Sequence, residues 1–397
     1  MLGEQPTKLN GAQRAPYQLQ MILLHGTGTH NKGAELMAVA ILQHYRAMPH
    51  PPHFAVPPRF GTYRDRARYG LWTLLEERRL GRAKLATWLA HAAFRRKYGL
   101  ASMDDIAAVL DASGFAFGDQ HGPRPTQDMA RNCRRWKRQG KKVVLLPQAF
   151  GPFSSHEIRT ALRQLIEHCD LVFAREETSY QALAEVVGSD QRIRVAPDFT
   201  VSVEGQVPAG FQGDPSTAFV VPNQRMLDKT EAHTQAAYIP FFAKAIDGLA
   251  GAGLRPIVLL HAPEDAALVA PIAQAASARF DVLQIACPVQ LKGVLGTARL
   301  VIGSRFHALV GALSQAVPTL ACGWSHKYDQ LMRQFDCPEC LLQVTDGDRL
   351  PEKLAALLDP PQRERLVARL HAAGRRLKAQ IDSMWSAVDH VLGIPAG

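Results

Sequence analysis

Short apolar runs alternate with longer amphipathic stretches along most of the chain. Leu19–Leu24, Ala112–Phe117, Val143–Leu146, Leu171–Ala174 and Ile193–Ala196 read as strands buried on both faces. Between them, apolar positions recur at helical spacing over Ala34–Tyr45, Thr126–Arg138, Ser155–Cys169 and Glu176–Val187. A Gly- and Pro-rich stretch, Gly205–Ser216, breaks the series and reads as a linker. A second series follows. Its strands are expected at Ala218–Val221, Pro256–Leu260, Val282–Ile285, Leu300–Ile302 and Thr319–Ala321, and its helices at Ala236–Ala252, Ala266–Ala278 and Arg305–Gln315. A long amphipathic stretch, Arg363–Leu392, closes the pattern.

Strand–helix alternation of this kind predicts a parallel α/β architecture. The expectation is two Rossmann-like domains facing a cleft, glycosyltransferase-B-like, with a C-terminal helix. The expected division is a polar tail 1–20, an N-terminal domain 21–204, a linker 205–216, a C-terminal domain 217–350 and C-terminal helices 351–397. Ligands in such sheets sit beyond the carboxyl ends of the strands, so the cleft is the expected site.

Composition narrows the classes. The 397 residues are 47% hydrophobic and 21% charged, ordinary for a soluble globular protein. The six Cys include one close pair, Cys337 and Cys340, with no second pair to complete a tetrahedral metal site. Reduced thiols, a polar first twenty residues and no run of ~18 apolar residues give the expectation of a cytoplasmic protein. The net charge of +10 is concentrated: Arg59 to Lys97 holds eleven Lys/Arg against three acids. Trp72, Leu74, Leu75, Leu80, Leu85, Trp88, Leu89 and Phe94 interleave with these charges, which predicts a basic helical insert at about 59–100. Such a surface suits an anionic membrane or a lipid-linked acceptor at the inner face of the membrane, and an ordinary solvated helix face is the plainer alternative. No zinc-finger, RNP or KH pattern points to nucleic acid.

Candidate chemistry gathers at strand ends. Gly26, Gly28 and Gly33 make a Gly-rich turn before a helix, without the spacing of a dinucleotide fingerprint. In that turn Asn31 is a cap or a ligand contact, and Glu35 is a candidate contact. Asp119 and His121 follow the Ala112–Phe117 run as an acid–base pair or an Asx-type turn. Gln148 ends a strand as a candidate contact. Arg175 ends another, where a guanidinium suits carboxylate or phosphate. Asp198 reads as structure at a domain edge. The richest segment is Gly303-Ser304-Arg305-Phe306-His307. Ser304 is expected to cap a helix, Arg305 to hold a phosphate at its N-terminus, and His307 to act as acid or base. Lys327, after the next strand, offers a further cation.

These residues resemble the polysaccharide pyruvyl transferase family. Ser304-Arg305-Phe306-His307-Ala308 and Ala312-Leu313-Ser314-Gln315-Ala316-Val317-Pro318 resemble its late signature. Asn31, Gly33 and Glu35 match its N-x-G-D-E opening, with Ala34 in place of the Asp. Gln148-Ala149-Phe150-Gly151-Pro152, Ala174-Arg175-Glu176-Glu177-Thr178-Ser179 and Pro197-Asp198 resemble further segments in order. The resemblance implies transfer of pyruvate from phosphoenolpyruvate to a sugar of a bacterial-type polysaccharide or its lipid-linked precursor, as a cyclic ketal. It implies His307 as the catalytic residue with Asp119 or His121 as partner. Arg175, Arg305, Lys327, Ser304, Asn31, Gln148 and Glu35 would then bind substrate, with no cofactor and no metal. A nucleotide-sugar-dependent glycosyltransferase and a non-catalytic glycan-binding or assembly protein are the alternative readings.

Overall fold

The computed structural model describes residues 21–75, 92–323 and 325–394. Two parallel sheets organise them. The first has the order β4-β3-β2-β1-β5-β6-β7-β8. Its strands are β1 (Met21–His25), β2 (His53–Val56), β3 (Trp72–Leu74), β4 (Leu100–Ala101), β5 (Ile106–Asp111), β6 (Lys142–Gln148), β7 (Leu171–Ala174) and β8 (Ile193–Val195). The second, in the order β11-β10-β9-β12-β13, contains β9 (Thr217–Val221), β10 (Arg255–Leu260), β11 (Asp281–Gln284), β12 (Leu300–Gly303) and β13 (Thr319–Ala321). The α/β architecture expected from the pattern is present, and a long helix, Pro360–Leu392, ends it.

The central strands are fully buried, with Leu24, Val109, Leu110, Leu145 and Val220 at the core. That burial on both faces is why they read as continuous apolar runs. Helices cover the faces with apolar stripes such as Ile158, Ala161, Leu162 and Leu165 of His156–Glu167. Their starts are capped from the sequence: Asn31 Oδ1 accepts from Ala34 N at 2.8 Å, and Ser155 Oγ from Ile158 N at 3.2 Å.

One expectation is corrected and another is qualified. The strand expected at Ala112–Phe117 is Ile106–Asp111 instead. Ala112–Phe117 is a loop that turns at Gly114 (φ 71°) and touches the sheet through an isolated Phe117–Phe150 bridge. Asp111 ends the strand because its carboxylate is buried and satisfied there. The basic stretch, expected to be helical, is described only at its two ends, and there it also carries strands. It contains a short helix, Tyr63–Arg68, then β3, the helix Ala92–Tyr98 and β4, and it widens the first sheet. Pairing of β3 with β2 overrides the helical spacing around Trp72 and Leu74. Several of its charges fold this edge: Arg95 pairs with Asp105 at 3.2 Å, and Arg66 donates to the carbonyls of Pro58 and Gly61. Residues 76–91, with Arg78, Arg79, Leu80, Leu85, Trp88 and Leu89, lie outside the described residues.

Each sheet changes winding direction once, between β1 and β5 in the first and between β9 and β12 in the second. Such switch points open the crevices where α/β proteins bind ligands. The two halves are tied by buried contacts. Trp385 of the long helix stacks on His44 of the helix Lys32–Arg46, with ring centroids 4.4 Å apart, and Asp389 meets His44 at 3.0 Å. Lys292, 2% exposed, donates to the carbonyls of Thr200 (2.7 Å) and Val201 (3.3 Å) across the halves.

Burial, opposed by Asp198, lowers the Lys292 amine from its ordinary 10.5 to about 7. Below about pH 7 both folded and unfolded chains hold the proton, and the fold carries the full penalty of a buried charge. Between about 7 and 10.5 the folded chain sheds it first, so this group's contribution to stability rises with pH. The urea midpoint of the wild type should therefore climb relative to that of Lys292→Met across this window. A pH-independent difference would mean that the amine stays charged inside the fold.

Candidate active site

The carboxyl ends of both sheets line one cleft, with a cavity of about 300 Å³. The first polar residue past each strand supplies much of its chemistry. Arg175 follows β7 and Asp198 follows β8, from the first half. Asn223 follows β9, His261 follows β10 and Ser304 follows β12, from the second.

Asp198 is the node. It is buried, and its Oδ1 accepts from the backbone N–H of Thr200 (3.0 Å) and the Thr200 hydroxyl (2.5 Å). Its Oδ2 lies 3.2 Å from Arg175 Nη1 and 3.5 Å from His307 Nε2. Burial alone would raise the carboxyl, but His307, Arg175 and the Thr200 donors hold it below its usual range. His307 is mostly enclosed, its side chain 15% exposed. Burial, with the charges of Arg175 and Lys327, pushes the imidazole down to about 4 against the pull of Asp198. The ring is therefore neutral in the empty cleft at neutral pH. Its other face rests on Gly33: a Cβ there would lie 2.2 Å from His307 Nδ1. Glycine is required at Gly33 by this close approach of two halves.

Phe306 organises the cations. The Arg175 guanidinium carbon lies 4.1 Å from the Phe306 ring centre, and Lys327 Nζ lies 5.5 Å from it and 4.7 Å from the Phe115 ring centre. Burial, then Arg175 and Arg305, lower the Lys327 amine to about 7. Arg175 Nη2 is buried without a hydrogen-bond partner, as is His307 Nε2. Such groups in a cleft mark a place for an anion.

The structure brings together His307, Arg175, Lys327, Arg305 and Asn31, all of which line the cavity. Arg305 is not a free clamp. Its guanidinium is held by Asp265, with Arg305 Nε 2.9 Å from Asp265 Oδ2, and by Glu264 at 3.0 Å. Nor does Ser304 cap the helix Phe306–Leu313, whose N-cap residue is Arg305. Ser304 is locked inside by Tyr238 (2.6 Å to its hydroxyl) and by Asn223 and Tyr328 on its carbonyl. Its hydrogen-bonding capacity goes to holding β12 and Asn223 at the second switch point.

The remaining expected residues lie elsewhere. Asp119 turns away to Ser154, accepting from its backbone N–H at 3.0 Å and its hydroxyl at 2.7 Å, so it ties its loop to the start of the next helix and makes no Asx-type turn of its own. His121 is exposed, its ring 5.2 Å from Phe115. Gln148 is buried and donates to Asp111 Oδ2 at 3.0 Å. Glu35 is sealed among Lys32 (2.8 Å), Tyr69 (2.7 Å) and Arg68. None of these four lines the cavity described above. Sequence reasoning missed His261, Asn223 and Phe115, and took Asp198 for domain-edge structure. The signal was available for three of them, because each is the first polar residue beyond a parallel strand. Burial, with the charge of Arg305, pushes the His261 imidazole well below its ordinary range. Among the described residues, no group of three or more His, Cys, Asp or Glu could hold a metal, and no helix is long and apolar enough to cross a membrane.

Two parallel Rossmann-like sheets with a cationic cleft between them give the chain a glycosyltransferase-B architecture. The chain belongs to the polysaccharide pyruvyl transferase family, whose model matches residues 31–326. Solved structures share the fold. Anabaena Alr3699/HepE, in complex with UDP and glucose, is 13% identical, with 93% of this chain and 100% of that one covered and a TM-score of 0.56. The UDP-GlcNAc 2-epimerase of Neisseria meningitidis, bound to UDP-GlcNAc, is 11% identical over 93% and 99% of the two chains, with a TM-score of 0.56. A glycosyltransferase of Rickettsia africae is 10% identical over 95% and 99%, with a TM-score of 0.58. At these identities the likeness is one of fold alone.

The contact between Gly33 and His307 is directly testable. Gly33→Ala should displace the imidazole and cost about 1–3 kcal/mol by overpacking. Calorimetric melting should show the loss, and the His307 ring signals in histidine-labelled NMR should shift. Unchanged signals would place the two residues further apart.

Proposed function

We propose that the cleft binds phosphoenolpyruvate and transfers its three-carbon unit, as a pyruvate ketal, to two hydroxyls of a saccharide. That saccharide belongs to a bacterial-type polysaccharide or its lipid-linked precursor. The observation that carries this reading is the convergence of Arg175, Lys327 and Arg305 around His307 in a member of this family.

Phosphoenolpyruvate brings a phosphate and a carboxylate. Arg175, with its unpartnered Nη2, and Lys327 meet them, and Arg305 adds charge from its place beside Asp265. The anion reverses the electrostatics that depress His307 and Lys327, so both gain protons as it binds. His307, charged and facing Asp198, gives its proton to the methylene carbon. Carbon C2 becomes electron-poor and a sugar hydroxyl adds to it. Phosphate leaves with the C2–O bonding pair, held by the cations, and the second hydroxyl closes the ketal. Of the two hydroxyl protons released, one replaces that lost by His307 and one leaves on phosphate. The cations neutralise the phosphate, so this reading calls for neither metal nor cofactor. Peripheral docking at an anionic inner membrane face belongs to the same reading, because a lipid-linked acceptor would be met there. Co-sedimentation with phosphatidylglycerol vesicles, lost at high salt, is its test.

Incubation with phosphoenolpyruvate and a panel of lipid-linked and nucleotide-linked sugars should yield phosphate and a product heavier by the mass of pyruvic acid less that of water. Release of UDP from UDP-sugars, with phosphoenolpyruvate untouched, would favour the glycosyltransferase reading instead. His307→Gln should keep donor binding and lower turnover by about 10²–10⁴. Near-wild-type turnover would remove His307 from the chemistry.

Proton uptake gives an independent check. Lys327 titrates near pH 7 in the empty cleft, and a bound anion raises it. Calorimetry of phosphoenolpyruvate binding at about pH 8, in buffers of different ionisation enthalpy, should therefore show net proton uptake. Lys327→Met should remove the share that Lys327 carries and leave that of His307. Uptake unchanged by that substitution would exclude Lys327 as the linked group.

A further inference from the structure

The donor-side residues leave one need unmet, a base for the acceptor hydroxyl. Outside that cluster, the switch point of the first sheet carries a His–Asp dyad. His25 ends β1 and Asp111 ends β5, and they are register partners at the carboxyl edge where the winding reverses. His25 Nδ1 lies 2.7 Å from Asp111 Oδ1. Asp111 is fully buried and also accepts from Ser113 Oγ (2.8 Å) and Gln148 Nε2 (3.0 Å). A carboxylate only accepts, so Nδ1 carries the ring proton and Nε2 keeps a lone pair. Arg59 Nη2 points at that lone pair from 3.1 Å, standing where a hydroxyl would donate. The imidazole is fixed on its other side by Trp136, with ring centroids 5.8 Å apart, and its side chain is 18% exposed. Gly26, the next residue, and Ser113, bonded to the same carboxylate, both line the cleft cavity.

We propose that His25, oriented by Asp111, is the base that takes the proton from the attacking acceptor hydroxyl. The inference rests on the pyruvyl-transfer reading of the cleft. As the hydroxyl oxygen bonds to C2, its O–H bond breaks and the proton moves to His25 Nε2, displacing Arg59. The imidazolium so formed is held by the Asp111 carboxylate. It passes the first proton to the departing phosphate, then serves the second hydroxyl in the same way, and that second proton returns through solvent to His307. Asp111 and Gln148 are positioning residues, because they act through His25.

The test uses the full-length protein and two variants. His25→Gln should bind phosphoenolpyruvate in calorimetry with wild-type affinity, while ketal formation on the sugar panel falls by about 10²-fold or more. Added imidazole should restore part of the activity of His25→Ala, which a purely structural histidine would not allow. Transfer by His25→Gln within threefold of wild type would overturn the proposal. If the wild type fails to bind phosphoenolpyruvate, the donor reading falls by itself. The dyad is then judged with UDP-glucose as donor, since an attacking hydroxyl must lose its proton there too, and the same two criteria hold. A substrate-free measurement decides independently. Long-range 15N–1H correlation of histidine-labelled protein should show His25 protonated on Nδ1, and an Nε2–H tautomer would overturn the proposal.

Discussion

One buried carboxylate, Asp198, holds the site to the fold. A charge removed from water is costly unless it is paired and hydrogen-bonded, and removing one partner of such a pair leaves the other stranded. Asp198 meets that condition with groups from both halves: Arg175 and Thr200 from the first, His307 from the second. The same short turn that it caps, Phe199–Ser202, presents the Thr200 and Val201 carbonyls to Lys292 and packs Phe199 on Trp385 of the long helix. A single turn therefore joins Arg175, His307, the contact with the second half and the contact with the C-terminal helix. The geometry of His307 is set by how the two halves meet.

The acids in the cleft leave the site short of negative charge. Asp198 answers Arg175, and Asp265 with Glu264 answers Arg305. Lys327 is left depressed by burial and by both arginines, and His307 by burial, Arg175 and Lys327. On the proposed reading an anionic donor supplies the missing charge and raises both groups as it binds. Binding and activation would then be one electrostatic event, which a neutral ligand could not bring about.

Much of the fold was legible because parallel strands buried on both faces are short apolar runs that chance rarely repeats in alternation with helices. The strand Leu171–Ala174 and the strand Thr319–Ala321 were read at their true bounds. The errors arose where a polar residue is buried or a strand lies at an edge. The run after Asp111 is as apolar as the strand before it, and burial of the Asp111 carboxylate at the strand's end leaves no polar mark to separate the two. β3 and β4 are three and two residues long, too short to show a period, and their Trp and Leu suggested a helix. In the site, Arg175, His307 and Lys327 could be placed by strand-end position and chemistry. Glu35 and Gln148 could not be told from ligand contacts, because their partners Arg68, Tyr69 and Asp111 are distant in sequence.

This division in legibility follows the division of labour between the halves. The cations and the imidazole of the cleft come largely from two short stretches, Ser304–His307 and the start of the helix His326–Gln334, with Arg175 added across the cleft. Local chemistry is enough to recognise them. The opposite wall is assembled from strand ends and the loop Ala112–Gly118, whose members meet only once β1, β5 and β6 are in register. That loop is tied down along its length: Ala112 N donates to the His25 carbonyl at 2.9 Å, Ser113 Oγ to Asp111 at 2.8 Å, and the carbonyls of Gly114 and Phe117 accept from Ala149 N and Gly151 N just past β6. The cations are thus held by contacts between the halves, while the wall beside His25 is held by contacts within the first sheet.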